Sequence, residues 1–371
     1  MNFSDRPQTL PKARERRALK PSQSNQRPKI FNRRRGWLGF RASLALALLL
    51  SLPSSIDAAA ERRVQIGFAS FTSLSAPLWL AVDRGFFAQE GLEPELVFIG
   101  SAPTMVASMI AREVPFATTA GTAVVSAVAG GAPLKILATF ANRVSSDLIA
   151  RPGIARPEDL RGKRVGVQSM GGGIWMQALL GLERLGLDPV RDKLHILAIG
   201  PQPQLVKALE SGIIDVTVLP AAFSEALKTR GYPVLLEMGT ANIPFTLNSL
   251  FALKETVEQS PQLVERVLKG LLRALAFVHQ PSNREVVTQM LARRLRVEQR
   301  GAEEAYRTAL ESLERKPYAS ADGLLNIRRL LARANPKVSA VQVDDIVDTR
   351  ILRKLDDSGF IDALYGAPGG R

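Results

Sequence analysis

The chain holds two histidines, His195 and His279, and no cysteine in 371 residues. A thiolate nucleophile, a disulfide framework, a cysteine-ligated zinc and an iron–sulfur cluster are excluded. Two histidines are too few for a multi-histidine metal site. No G-x-S-x-G surrounds Ser169, and the sequence shows no base to serve it. Gly162-Lys163 lacks both the upstream glycine and the following Ser or Thr of a phosphate-binding loop. The adjacent acids Glu303-Glu304, Asp344-Asp345 and Asp356-Asp357 fall in charge-rich helical stretches and read as solvated faces. The expectation is a protein that binds and does not catalyse, with no metal and no cofactor.

The residues suited to binding are Ser, Thr and Gly in five turns, 69–76, 100–104, 118–122, 168–175 and 220–223, with Phe71, Trp175 or Phe223 nearby. Backbone N–H groups at a helix start favour anionic or strongly polar groups. One such end contributes about 0.3–1 kcal/mol, whereas micromolar affinity needs about 8 kcal/mol, so several must converge with apolar contact from the aromatics. Taken singly, each turn is explained as well by helix capping. Gly171-Gly172-Gly173 is more specific, because three glycines before a helix waste chain entropy unless the backbone approaches something closely. Trp175 and Trp79 read either as stacking surfaces or as core. Arg143 reads either as a clamp for a carboxylate or sulfonate or as a solvated residue, and His195 as structural.

The elements that must position these turns follow from apolar periodicity. Strands at 64–68, 96–99, 114–118 and 134–140 alternate with helices at 77–90, 102–111 and 123–129. A second set has strands at 164–167, 194–199, 213–219 and 234–237, with helices at 174–185, 202–211 and 221–229. This alternation predicts parallel βαβ units, whose ligands bind at the carboxyl ends of the strands. Beyond Phe251 the pattern turns helical, at 261–279, 283–295, 301–313, 320–334 and 341–355, and these helices are expected on the outside of the first unit.

The formal charge of +14 is unevenly spread. Residues 1–60 hold 12 Lys and Arg against 3 Asp and Glu, while the remaining 311 residues carry a surplus of only 5. A nucleic-acid binder would keep a basic patch on its folded part, so no nucleic-acid partner is expected. Within 1–60 the uncharged 11-residue run 42–52 is shorter than the roughly 20 residues of a membrane span. Basic residues precede it and Ala58-Ala59-Ala60 follows, the order of a secretory signal peptide. Arg34-Arg35 also resembles a twin-arginine signal, which leaves Sec and twin-arginine export both open. A mature chain beginning near Glu61 would be periplasmic.

Three motifs carry a family resemblance. Pro77-Leu78-x-x-Ala81-x-x-x-Gly85-x-Phe87-x-x-Glu90-Gly91-Leu92, then Asp159-Leu160-Arg161-Gly162-Lys163-Arg164-Val165-Gly166-Val167, then Ala208-Leu209-x-Ser211-Gly212-x-Ile214-Asp215 followed by Pro220, occur in order over about 63–240. They resemble the nitrate/sulfonate/taurine-type substrate-binding proteins of ABC importers, a group that includes binders of a thiamine pyrimidine precursor. The resemblance implies an α/β fold of the type II periplasmic binding protein class, two α/β lobes joined by a hinge, with a helical C-terminal extension packed on lobe 1. Lobe 1 would comprise 61–148 plus 245–371 and lobe 2 149–244, with crossings near 146–151 and 240–251.

By the same resemblance, ligand contacts fall on Ser70, Phe71 and Thr72, on Ser101, on Thr119, Gly121 and Thr122, on Asn142, on Ser169, Gly171 and Gly172, and on Pro220. Trp175 joins them as the nearby aromatic. The implied function is capture of a small polar or anionic solute (nitrate, a sulfonate, a taurine-like molecule or a pyrimidine) by lobe closure, and delivery to an inner-membrane ABC permease by a monomer. A ligand-sensing receptor is the alternative. A pyrimidine-making enzyme on the same fold is disfavoured, because such relatives depend on histidine and a cysteine-rich motif.

Overall fold

A computed structural model describes residues 63–366. The export-leader reading of 1–60 lies outside the described residues. The chain first lays down β1 (Arg63–Phe68), α1 (Ala76–Asp83), α2 (Phe86–Gln89), β2 (Glu93–Phe98), α3 (Ala102–Ile110), β3 (Phe116–Thr119), α4 (Gly121–Ala129) and β4 (Leu134–Arg143). It then crosses at Val144-Ser145 into β5 (Ser146–Ala150), β6 (Arg164–Val167), α5 (Gly173–Arg184), β7 (His195–Ala198), α6 (Gln202–Glu210), β8 (Val216–Pro220), α7 (Ala221–Lys228) and β9 (Val234–Glu237). Residues 238–243 lead back to β10 (Pro244–Leu253).

Two five-stranded sheets result, in the orders β2-β1-β3-β10-β4 and β7-β6-β8-β5-β9. The βα units pair in parallel, β1 with β2 and β3, β6 with β7 and β8. The parallel βαβ units are as expected, and only the two strands that follow the crossings run the other way, β10 antiparallel to β3 and β4, and β5 antiparallel to β8 and β9. The reason is geometric. The chain changes sheets at the ends where β4 and β9 finish, so the strand it enters runs away from that end, opposite to its neighbours.

β10 is the element the sequence reading left as a crossing. It lies between β3 and β4, with Thr246, Ser249, Leu250, Phe251 and Ala252 fully buried. A strand covered on both faces shows no polar alternation to betray it. The helix expected at 77–90 is broken at Gly85, whose φ of +69° favours glycine. The break turns Phe87 inward against Gly270, where a Cβ would stand 2.6 Å from the ring.

The C-terminal extension comprises α8 (Lys254–Gln259), α9 (Pro261–His279), α10 (Arg284–Leu295), α11 (Gln299–Ser312), α12 (Ala321–Ala332), α13 (Val343–Ile346), α14 (Arg350–Asp357) and α15 (Phe360–Leu364). The single helix expected at 341–355 is interrupted because Val347 bridges Ile136 of β4, and the Asp348 amide donates to the Ile136 carbonyl at 2.9 Å. Leu313 bridges Ala141 farther along. The open edge of β4 is thereby covered, as an unpaired strand edge requires. α9 packs on α1 and α2, and α12 on β10 and α4, so the extension sits on the first lobe. It also reaches the second. α11 packs on α7, and Arg300 pairs with Glu225. Arg329 and Arg333 of α12 hold Glu183 of α5 at 2.7 and 2.8 Å.

Asp215 explains one of the three motifs. Its carboxylate accepts from the Arg164 backbone N–H, Nε and Nη2, each at 2.9 Å, and Arg151 stands 3.8 Å away. It thus ties the foot of β6 to that of β8, the strands leading to Gln168 and Pro220. The hydrogen bonds from Arg164 hold this buried carboxyl below its ordinary value of 3.8. Asp215→Asn should lower stability near neutral pH by about 1–3 kcal/mol. A depressed folded value means the contribution is present above 3.8 and lost as pH falls through the folded value. Urea unfolding of both proteins from pH 7 to pH 2 should show the gap closing at the acid end.

Candidate functional site

The carboxyl ends of both sheets face one small cavity. Its wall takes Ala69, Ser70, Thr72, Ser73 and Leu74 after β1, Gly100 and Ala102 after β2 and Thr119-Ala120 at the end of β3. The second lobe supplies Gln168, Ser169, Gly172, Gly173, Ile174, Gln177 and Pro220. Ser145-Ser146 of the crossing, Leu247-Asn248 of β10 and Thr308 of α11 complete it. The volume open to the centre of a water-sized sphere is about 50 Å³, against the roughly 10–15 Å³ that suffices to hold one water. Among the described residues no Asp, Glu, Lys, Arg or His lines it.

Four helices begin at the wall: α3, whose first residue Ala102 lines it and whose start is capped by the Ser101 side chain, and α4, α5 and α7, which have no such cap. The N-cap residues of α4, α5 and α7 are Ala120, Gly172 and Pro220, none of which supplies a side-chain acceptor. The first-turn N–H groups of these helices therefore have no cap, and an uncapped helix start carries a partial positive charge. The amide side chains are tied down. Ser146 Oγ donates to Gln177 Oε1 at 2.9 Å, Asn248 Nδ2 to the Leu74 carbonyl at 2.6 Å, and Gln168 Nε2 to the carbonyls of Gly100, at 2.9 Å, and Ala69. The hydroxyls of Ser70, Thr72, Thr119 and Ser169 make no such bond among the described residues. The arrangement offers N–H and hydroxyl donors without a counter-ion.

Charge gathers next door. A groove of about 450 Å³, meeting the cavity at Ser145 and Thr308, is lined by Arg143, Asp147, Lys228, Glu237, Glu304, Arg307, Glu311 and Glu314. Asp147 there is buried and held by Ser224 and by Lys228 at 2.7 Å.

Of the residues singled out in the sequence, Ser70, Thr72, Thr119, Ser169, Gly172 and Pro220 stand on the cavity wall. The others stand elsewhere. Phe71 packs with Phe68, Trp79 and Phe98, its ring 4.8 Å from that of Phe98. Ser101 caps α3, its Oγ accepting from the Thr104 amide at 3.4 Å. Gly121 backs onto Thr246, where a Cβ would meet that side chain at 3.0 Å, and Thr122 is fully buried with no partner for Oγ1. Asn142 donates to the Tyr318 carbonyl and accepts from the Ser320 amide, both at 2.8 Å. Gly171 has φ +73° and free space where a Cβ would stand, so it serves the turn. Trp175 packs half-buried against the core, Nε1 unpartnered.

Trp79 is core, Arg143 is exposed on the groove, and His195 is exposed at the start of β7. The close approach expected of the glycine run occurs at Gly173, where a Cβ would lie 2.9 Å from Ala120 Cβ of the opposite lobe. The sequence reading passed over Gln168, Ala120 and Gly173 as individuals although all three lie in its nominated turns. Asn248 sits on the unread β10, and no signal in the sequence brings Thr308 of α11 to the wall.

Asn142→Ala is expected to loosen the 318–320 segment and lower stability by about 1–3 kcal/mol. Ligand affinity should stay unchanged, because neither polar atom of Asn142 faces the cavity. Calorimetric unfolding beside a binding titration checks this, and a variant of full stability with impaired binding would return Asn142 to the site.

Residues 73–283 match the model of the family described as NMT1/THI5 like. The riboflavin-binding protein RibY of Chloroflexus aurantiacus is 26% identical over 207 residues, a stretch that is 54% of this chain and 58% of that protein. The alkanesulfonate-binding protein SsuA from Xanthomonas axonopodis pv. citri, solved bound to MOPS, superposes with a TM-score of 0.62 at 18% identity, covering 77% of this chain and 98% of that one. The periplasmic nitrate-binding protein NrtA from Synechocystis PCC 6803 superposes with a TM-score of 0.64 at 15% identity, over 83% and 92% of the two chains. At these identities the structural likeness establishes the fold, that of a periplasmic binding protein. Among the described residues no helix is long and apolar enough to cross a membrane.

Proposed function

The chain belongs to the NMT1/THI5-like family, and on that premise we propose that it is the solute-binding component of an ABC-type importer, closing two lobes over a small oxyanion or similarly acceptor-rich solute. The lobes are taken as 61–148 with 245–371 and 149–244, with the first boundary drawn back to 144–145 because Ser146–Ala150 pairs within the second sheet. The leader reading favours the periplasm as its compartment, and an inner-membrane permease is the implied partner of the monomer.

The observation that carries this reading is the cavity wall, free of charged side chains yet met by three helix starts without side-chain caps. Each start is worth about 0.3–1 kcal/mol, rising to about 2 when partly buried. Hydrogen bonds to a charged guest add about 1.5–3 kcal/mol apiece. Together they reach the roughly 8 kcal/mol of micromolar binding without any ion pair. Both lobes supply donors, which is what closure demands. Driving the lobes from 1:99 to 99:1 takes about 5.5 kcal/mol of preference for one state, and a guest touching only one lobe has no such preference.

The ring of uncharged donors on a small cavity favours nitrate or a sulfonate head group. The 26% identity to a riboflavin-binding protein supports a second reading, in which a fused-ring ligand holds the lobes farther apart and stacks at the rim. Phe98, 39% exposed and packed on Phe71, offers such a face.

Thermal-shift titration of the full chain with nitrate, methanesulfonate, taurine, a pyrimidine and riboflavin tests both. A small anion at a hundred times its Kd should add about 2.7 kcal/mol. A response to riboflavin alone would overturn the first reading in favour of the second.

Gly173→Val gives an independent check. The added side chain would collide with Ala120 only when the lobes meet. Affinity for the stabilising anion should fall at least about tenfold, about 1.4 kcal/mol, with the midpoint of the ligand-free protein little changed. Undiminished binding by Gly173→Val would remove closure from the mechanism.

A further inference from the structure

We propose that Gln168 is the positioning residue of closure, a side-chain amide of the second lobe that fastens onto two backbone carbonyls of the first. The proposal rests on the lobe-closing reading above and assigns it a particular side chain. Gln168 directly follows β6, whose end is fixed by the Ile199 amide donating to the Val167 carbonyl at 2.9 Å. From there Nε2 reaches the Gly100 carbonyl at 2.9 Å and the Ala69 carbonyl. An amide nitrogen has two hydrogens, and both are spent on the first lobe. The two acceptors lie just beyond the ends of the adjacent parallel strands β1 and β2, which brings them close together.

The other side-chain bonds on the wall join elements that share a sheet, Ser146 of β5 with Gln177 of α5 on the second and Asn248 of β10 with Leu74 on the first. Farther out, Glu183 with Arg329 and Arg333, and Glu225 with Arg300, also join second-lobe helices to the extension, but these are partly exposed ion pairs. Exposed pairs are weak and screened by salt. The Gln168 bonds are uncharged and line a small cavity, so salt leaves them in place. They also engage one lone pair on each of two carbonyls that an ammonium or amide guest would seek.

The absence of cysteine permits a direct test. Ile110→Cys at the end of α3 and Val190→Cys between α5 and β7, 52% and 87% exposed, place one spin label on each lobe of the full chain. Double electron–electron resonance, with and without nitrate or methanesulfonate, then reads the populations of short and long separations. Gln168→Ala should lower the ratio of closed to open about tenfold, at unchanged thermal midpoint.

Gln168→Glu should behave likewise at pH 8, where a carboxylate faces two carbonyl oxygens. It should recover closed population at pH 4, where the protonated carboxyl donates one hydrogen bond, while Gln168→Ala shows no such recovery. A purely structural residue would not follow that pH profile. Two separations with weights unaltered by either substitution would overturn the role of Gln168 and leave closure standing. A single separation in every protein and with every anion would overturn closure itself, and the proposal with it.

Discussion

A strand that enters a sheet from the cleft must run away from the cleft, and the architecture depends on this constraint. The chain leaves β4 and β9 at the ends that face the other sheet, so β5 and β10 are inserted antiparallel into otherwise parallel arrays. Both sheets thereby keep the carboxyl ends of their βα strands turned toward one another. Every turn at those ends is also the start of a helix. Two crossings are therefore enough to bring helix starts from separate sheets onto one small space.

Converging backbone donors solve an electrostatic difficulty that charged side chains would create. A lysine or arginine on the wall of this cavity would be desolvated there and left unpaired, at a penalty of several kcal/mol. Peptide N–H groups are dipoles, already fixed by the helix, and carry a far smaller desolvation penalty. The chain accordingly keeps its ions off the wall. They are paired around the neighbouring groove, as in Asp147 with Lys228, or across the surface, as in Glu183 with its two arginines, whose hydrogen bonds hold that carboxyl below its ordinary range.

Much of this was legible in the residues. The β1, β6 and β9 strands, the helix Pro261–His279 and the five polar turns stand in the sequence as apolar runs closed by Ser, Thr and Gly. What escaped did so for identifiable physical reasons. β10 is buried on both faces and shows no alternation. The stretch 341–355 has helical periodicity throughout, yet the free edge of β4 claims Val347 as a partner. At the cavity, residue type located the turns but could not say which side chains turn outward from them. Asn142 has the chemistry of a ligand contact and spends both polar atoms on the 318–320 segment. Gly171 is required by its backbone angle, and the close contact expected of the glycine run belongs to Gly173.

The extension is more than a support for the first lobe. Thr308 of α11 stands on the cavity wall, and Gly301 of the same helix brings its backbone within reach of the Ala222 carbonyl of α7, where a Cβ would come to 3.1 Å. α11 therefore touches the guest space and the second lobe at once, while the bridge from Leu313 to Ala141 fixes its end to β4 of the first. A body joined to the second lobe only through its two crossings would be free to turn about them. Here α11 and α12 also hold the second lobe, α11 by packing on α7 and α12 through Arg329 and Arg333 on Glu183. The second lobe is thus braced by the extension as well as by the crossings, which limits the ways it can turn about them.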